Sequence, residues 1–122
     1  MRVLLTLVFG SFLLVMLSVT VIAMLDRSVF SVGEELTSDP WFIATLVDAY
    51  LGFLTFYVWV AYRERRWPAR LIWFVLIMCL GNIAMASYVL WQVWRLPAGA
   101  SMDTLLLRDD RRGRAPATGA AP

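Results

Sequence analysis

Residues 39–67 read DPWFIATLVDAYLGFLTFYVWVAYRERRW. Asp39 is placed to cap a helix, and Pro40 suits the first helical position, where its missing N–H costs nothing. From Trp41 to Tyr62 the run is apolar apart from its tyrosines, Thr45, Asp48 and Thr55. At about 1.5 Å per residue, a run of this length covers the roughly 30 Å hydrocarbon core of a bilayer. Trp41 marks one interface, and Arg63, Arg65, Arg66 and Trp67 mark the other. One carboxylate, Asp48, lies inside the run.

The rest of the composition agrees with a membrane setting. The chain has 122 residues, of which 61% are hydrophobic, against about 45–50% in soluble domains. A soluble domain this small has little interior in which to hide so much apolar surface. The net charge of +2 comes from arginines clustered at segment ends, with no lysine. That pattern speaks to membrane topology, and no long segment offers the basic face that nucleic acid requires. A single cysteine, Cys79, excludes an intrachain disulfide. With no histidine, the usual haem ligand, the usual general base and most transition-metal sites are missing. No catalytic residue, metal or cofactor is therefore expected.

Upstream, residues 3–25 form a second apolar run with only mild polar interruptions at Thr6, Ser11, Ser18 and Thr20. A signal peptide cleaved after Ala23 is the rival reading. The run exceeds the usual core of about 7–15 residues and is preceded only by Arg2, which favours a retained membrane helix. Asp26, Arg27, Glu34, Glu35 and Asp39 belong to a polar connector. Downstream, residues 70–95 form the third run, with Gly81, Asn82 and Ser87 inside it and Trp91, Trp94 and Arg95 at its far edge. Pro97 and Gly99 stop it. Trp41, Trp91 and Trp94 would then share the outer interfacial belt, with Trp59, Trp67 and Trp73 toward the inner one.

These features predict an all-α membrane protein with three transmembrane helices, at about residues 3–25, 40–62 and 70–95, in a domain of residues 1–97. The central connector is short, so the second and third helices should pair as an antiparallel hairpin. Residues 98–122 are expected to form a polar, disordered tail, with Leu105, Leu106 and Leu107 too short a run to span. Arg63, Arg65, Arg66 and Arg70 place the central connector in the cytoplasm. Three crossings then put the N-terminus in the cytoplasm and the tail outside. This leaves one conflict, because Arg95, Arg108, Arg111, Arg112 and Arg114 would all lie on the side the rule disfavours.

Asp48 falls about 10 Å along the helix axis from Trp41. A carboxylate at that depth should face the bundle interior or a wet crevice. Counting inward from the outer ends gives Ser18 and Thr20 on the first helix and Ser87 and Tyr88 on the third as its level-mates. Thr45, Asp48, Gly52, Thr55, Trp59 and Tyr62 form one relatively polar stripe, expected to turn toward the other helices. Asn82 lies near the middle of the third run, level with Gly52. The candidate polar intramembrane site is therefore Asp48, Asn82, Ser18, Thr20, Ser87 and Tyr88. It serves either to hold the bundle together or to receive a polar ligand head.

The stretch Trp41-Phe42-Ile43-Ala44-Thr45-Leu46-Val47-Asp48-Ala49-Tyr50, the stretch Tyr57-Val58-Trp59-Val60-Ala61-Tyr62-Arg63-Glu64, the Gly81-Asn82 pair and the Leu105-Leu106-Leu107 segment resemble an uncharacterised family of small multi-helix membrane proteins from bacteria and plants. The likeness runs from the first helix to Arg108. It implies an intact multi-helix membrane protein and supplies no catalytic roles.

The leading expectation is a small multi-pass protein of the inner or plasma membrane that acts by binding. It would serve as an accessory subunit or bind a lipid or other hydrophobic ligand. Its partners would be the bilayer and another membrane protein or further copies of itself. A small oligomeric transporter or proton conductor is the second class. A membrane enzyme acting on a lipid or isoprenoid is the third, disfavoured because paired acids and histidine are missing.

Overall fold

The computed structural model describes residues 1–28, 31 and 33–107, the side chain of Glu34 excepted. The protein is all-α. Its helices in chain order are α1 (Arg2–Asp26), α2 (Gly33–Leu36), α3 (Pro40–Arg63), α4 (Trp67–Leu80), α5 (Asn82–Arg95) and α6 (Met102–Leu106). Both α1 and α3 are long and apolar enough to cross a membrane.

The start of α3 follows from its sequence. Asp39 has extended backbone, and its carboxylate accepts the Trp41 N–H at 2.9 Å, with Pro40 in the first turn. The helix runs 24 residues and ends where Glu64 turns extended. Pro68 then opens α4 at a position where a missing N–H is harmless.

The helix expected over residues 70–95 is not continuous. It is two helices of 14 residues each, α4 and α5, joined by Gly81 alone. Gly81 has φ 54° and ψ −124°, a conformation that L side chains rarely adopt. The chain reverses there. Trp73 and Tyr88 stand 15 positions apart, which in one straight helix would separate them by about 22 Å. Their ring centroids are instead 4.8 Å apart. Gly81 joins both ladders: its N–H reaches the Ile77 carbonyl at 2.8 Å and its carbonyl accepts from Met85 at 3.1 Å. Phe53, midway along α3, lies against the bend. A Cβ on Gly81 would come 2.7 Å from the Phe53 ring.

The reversal makes α5 the core of the molecule. Ala84, Ala86, Tyr88, Val89, Leu90, Gln92 and Val93 are buried on it, whereas α1 buries none of its own residues and α3 only Val60. One cluster joins Val60, Ile77, Ala84 and Tyr88, with Phe53, Phe56 and Trp73 packed around them. A second joins Val89, Val93, Leu96 and Leu105, flanked by Leu5 and Phe9 of α1. The Arg2 guanidinium donates to the Trp94 carbonyl at 3.1 Å, so the start of α1 meets the end of α5.

Three expectations change accordingly. Trp91 and Trp94 do not stand at the Trp41 end. Trp91 lies 5.8 Å from Trp73, and Trp94 meets Arg2. The stripe Thr45, Asp48, Gly52, Thr55 and Tyr62 does not face the other helices. It is exposed, with Trp59 half-buried, while Phe42, Ala49, Phe53, Phe56, Tyr57 and Val60 turn inward. The segment expected to begin a disordered tail contains α6, and Leu105 is buried against α5. The remainder of that expected tail, residues 108–122, lies outside the described residues.

The bend makes Gly81 the position least tolerant of change. Gly81→Ala should lower unfolding free energy by about 2–5 kcal/mol, from backbone strain plus collision with Phe53. Titration with a denaturing detergent, followed by tryptophan fluorescence, measures it. Adding Phe53→Ala should relieve only the collision. Gly52→Ala, with nothing within 4 Å of its added Cβ, should shift stability by less than about 1 kcal/mol.

Candidate functional site

The described polar side chains converge at the basic end of the molecule. The end of α3 brings Arg63 and Glu64, and the reversal at Gly81 returns Tyr88 and Gln92 to the same place. The Glu64 carboxylate accepts the Tyr88 hydroxyl at 2.9 Å and the Gln92 amide at 3.1 Å, both on one oxygen. Arg70 Nε donates to the Glu64 backbone carbonyl at 2.8 Å, and the Tyr57 hydroxyl donates to the Arg70 carbonyl at 3.2 Å. The connector is thus tied to α3, α4 and α5 at once.

Around the Tyr88 ring stand Phe56 at 6.2 Å, Trp59 at 5.5 Å, Trp73 at 4.8 Å and Trp91 at 6.1 Å. The Phe56, Trp59 and Trp73 contacts are edge-on, the arrangement ring quadrupoles favour. The Arg95 guanidinium lies over Trp91 at 4.6 Å. Tyr88 itself fills the box, which therefore reads as an organising core.

Arg63 performs a second task. One terminal nitrogen donates to the carbonyls of Thr104, Leu105 and Leu107, at 3.2 Å to Thr104 and 2.8 Å to Leu107. Trp59 Nε1 donates to the Leu106 carbonyl at 3.2 Å. The last carbonyls of a helix lack internal partners and carry partial negative charge, so a cation there is favourable. Arg63 and Trp59 hold α6 by those carbonyls. Arg63 Nε is buried with no partner among the described residues.

The residues singled out in the sequence are distributed differently. Tyr88 bonds Glu64, and Glu64 is 16 residues beyond Asp48, about 24 Å along the helix axis. Ser18 donates to the Leu14 carbonyl at 2.8 Å and Ser87 to the Ile83 carbonyl at 2.7 Å, each within its own helix. Thr20 is half-buried on α1, and Asn82 is exposed beside the Gly81 bend. Asp48 is exposed on α3 with no hydrogen bond or ion pair among the described residues. Sequence reasoning missed Glu64 and Gln92. Their signal was present in kind, a carboxylate and an amide bordering apolar runs, but their pairing depends on the reversal.

Near Asp26 and Arg27, α1, α2 and α3 border an open cleft of about 740 Å³ lined by Ala23, Asp26, Arg27, Gly33, Leu36, Phe42, Leu46 and Tyr50. That volume lies within the usual range of small-ligand sites. Asp48 is not among its walls.

The Arg63 grip predicts a specific weakness. Arg63→Ala should release α6 and raise the rate of proteolytic cleavage between residues 97 and 107 by roughly tenfold or more, with Arg63→Lys intermediate. Tyr88→Phe should leave α6 protected and cost about 1–3 kcal/mol of overall stability, because it removes a bond to a carboxylate. Limited proteolysis with mass mapping separates the two effects.

No curated protein and no solved structure matches the chain. A family described as "Protein of unknown function (DUF1475)" matches residues 2–116, nearly the whole sequence, and the chain belongs to that family.

Proposed function

We propose that this is an integral membrane protein in which α1 and α3 cross the bilayer, while α4 and α5 enter it from the basic side and return to that side. Each helix of the pair is about 21 Å long, short of the roughly 30 Å core. Contact between the Gly81 bend and Phe53, midway along α3, supports a hairpin tip near mid-depth. The start of α1 and the end of α6 would then share the cytoplasmic side.

The arginines support this placement. Arg63, Arg65, Arg66 and Arg70 lie in or beside the connector, and Arg2, Arg95 and α6 gather at the same end. Among the described residues, Arg27 alone marks the opposite end. Two crossings put every described arginine except Arg27 on one side, as the positive-inside rule favours. The conflict that three crossings create at Arg95 disappears.

Within the membrane the protein acts by binding, as an accessory subunit. The observation that carries this reading is the outward polar face of α3. Asp48 is the one carboxylate within α3, and its exposed position turns it away from the chain's own core. A second reading, the binding of a lipid or another hydrophobic ligand, is favoured by the open cleft that α1, α2 and α3 border. Its apolar walls include Phe42 and Leu46, and Asp26 and Arg27 stand at its rim.

Site-directed thiol labelling tests the placement. In a Cys79→Ser background, Ser31→Cys should react with a membrane-impermeant maleimide added to intact cells. Ala98→Cys should react only after the membrane is opened. Labelling of Ala98→Cys in intact cells would support three crossings and refute the re-entrant hairpin.

A further inference from the structure

We propose that the outward face of α3 around Asp48 docks a transmembrane helix of another protein, one carrying a lysine or arginine at the depth of Asp48. The inference rests on the membrane placement and the binding reading above and names the partner's chemistry. Asp48 lies seven residues beyond Trp41, about 10 Å inside the outer interface. A carboxylate exposed to lipid at that depth is costly, and intramembrane acids are found paired or facing water.

Among the described residues the chain supplies no such pair. The Asp48 carboxylate has no partner among the described residues. Its two hydroxyl neighbours along the stripe are already engaged, Thr45 with the Trp41 carbonyl and Thr55 with the Leu51 carbonyl, both at 2.9 Å.

A second copy of the chain does not repair this. It contains no lysine or histidine, and every arginine lies at the border of an apolar run or outside it. Across a symmetric contact, two Asp48 side chains would bring acid to acid, with no base at that level. Charge complementarity therefore selects a different chain with a base at that level.

The surface beside the acid suits close approach. Ala44, Asp48 and Gly52 are exposed at four-residue spacing, and nothing lies within 4 Å of the position a Gly52 Cβ would take. Small residues let helix backbones come near enough for a buried polar contact. Gly52 plays no part in the chain's own packing, which leaves it free to serve a partner.

The test uses the full-length protein, fluorescently labelled, in phosphatidylcholine vesicles containing a minor fraction of phosphatidylglycerol. The probes are two synthetic polyleucine spanning helices, one with a single lysine about 10 Å from the outer interface and one with leucine there. Energy transfer should report association with the lysine helix about tenfold tighter than with the leucine helix. Asp48→Asn and Gly52→Ile should each remove that preference, and Asp48→Glu should retain part of it. Equal association with both helices, or a lysine preference that survives Asp48→Asn, overturns the inference. So does self-association of the protein that outcompetes the lysine helix and is lost in Asp48→Asn, because the occupant is then a second copy. The thiol-labelling pattern of the preceding section is read in parallel in intact cells. A correct pattern with no lysine preference discards this partner while leaving the membrane placement standing.

Discussion

The fold depends on one backbone reversal. Gly81 adopts a positive φ, and the chain doubles back so that α5 lies against α4 and α1. Two conditions allow it. The residue has no Cβ, and the space a Cβ would occupy is taken by Phe53 of α3. The bend is thus locked to the middle of the longest inward-facing stripe. Gly81 itself is satisfied on both sides, its N–H by the Ile77 carbonyl and its carbonyl by the Met85 N–H, while the neighbouring backbone groups at the two helix ends lack intrahelical partners.

What the reversal brings together then holds it closed. Tyr88 and Gln92 return to Glu64, and Tyr88 enters a ring of aromatic side chains from α3, α4 and α5. On the proposed membrane placement the usual hydrophobic drive is absent, since acyl chains are as apolar as leucine. Packing of large rings and hydrogen bonds to Glu64 must therefore supply the closure. The same end carries the Arg63 grip on α6. The opposite end is looser, with an open cleft bordered by α1, α2 and α3 in place of a packed core. The molecule is organised from its basic end upward.

Much of this was legible in the sequence. The start of α3 could be read from Asp39 and Pro40, its end from Arg63 and Glu64, and the two long apolar helices from run length. The third run was misread because hydropathy does not record direction. Gly81 within an apolar stretch has the same composition whether it lets two helices pack or lets one turn back. The arginine distribution bears on the same point: Arg95 and the later arginines conflict with three crossings, and the proposed two crossings with a re-entrant pair would remove that conflict. The level-mates assigned to Asp48 depended on a straight third helix. Once that helix reverses, Tyr88 goes to Glu64 and Asp48 is left on the outside.

The central claim is that residues 67–95 form a returning pair of helices inside a membrane. Spin labels at Leu71→Cys and Trp94→Cys, both exposed positions, in a Cys79→Ser background and in lipid vesicles, measure it by electron–electron dipolar distance. A returning pair places the labels within about 20 Å, the interaxial spacing plus the label arms. A single distance near 35 Å, the length of a continuous helix over those residues, would contradict the account.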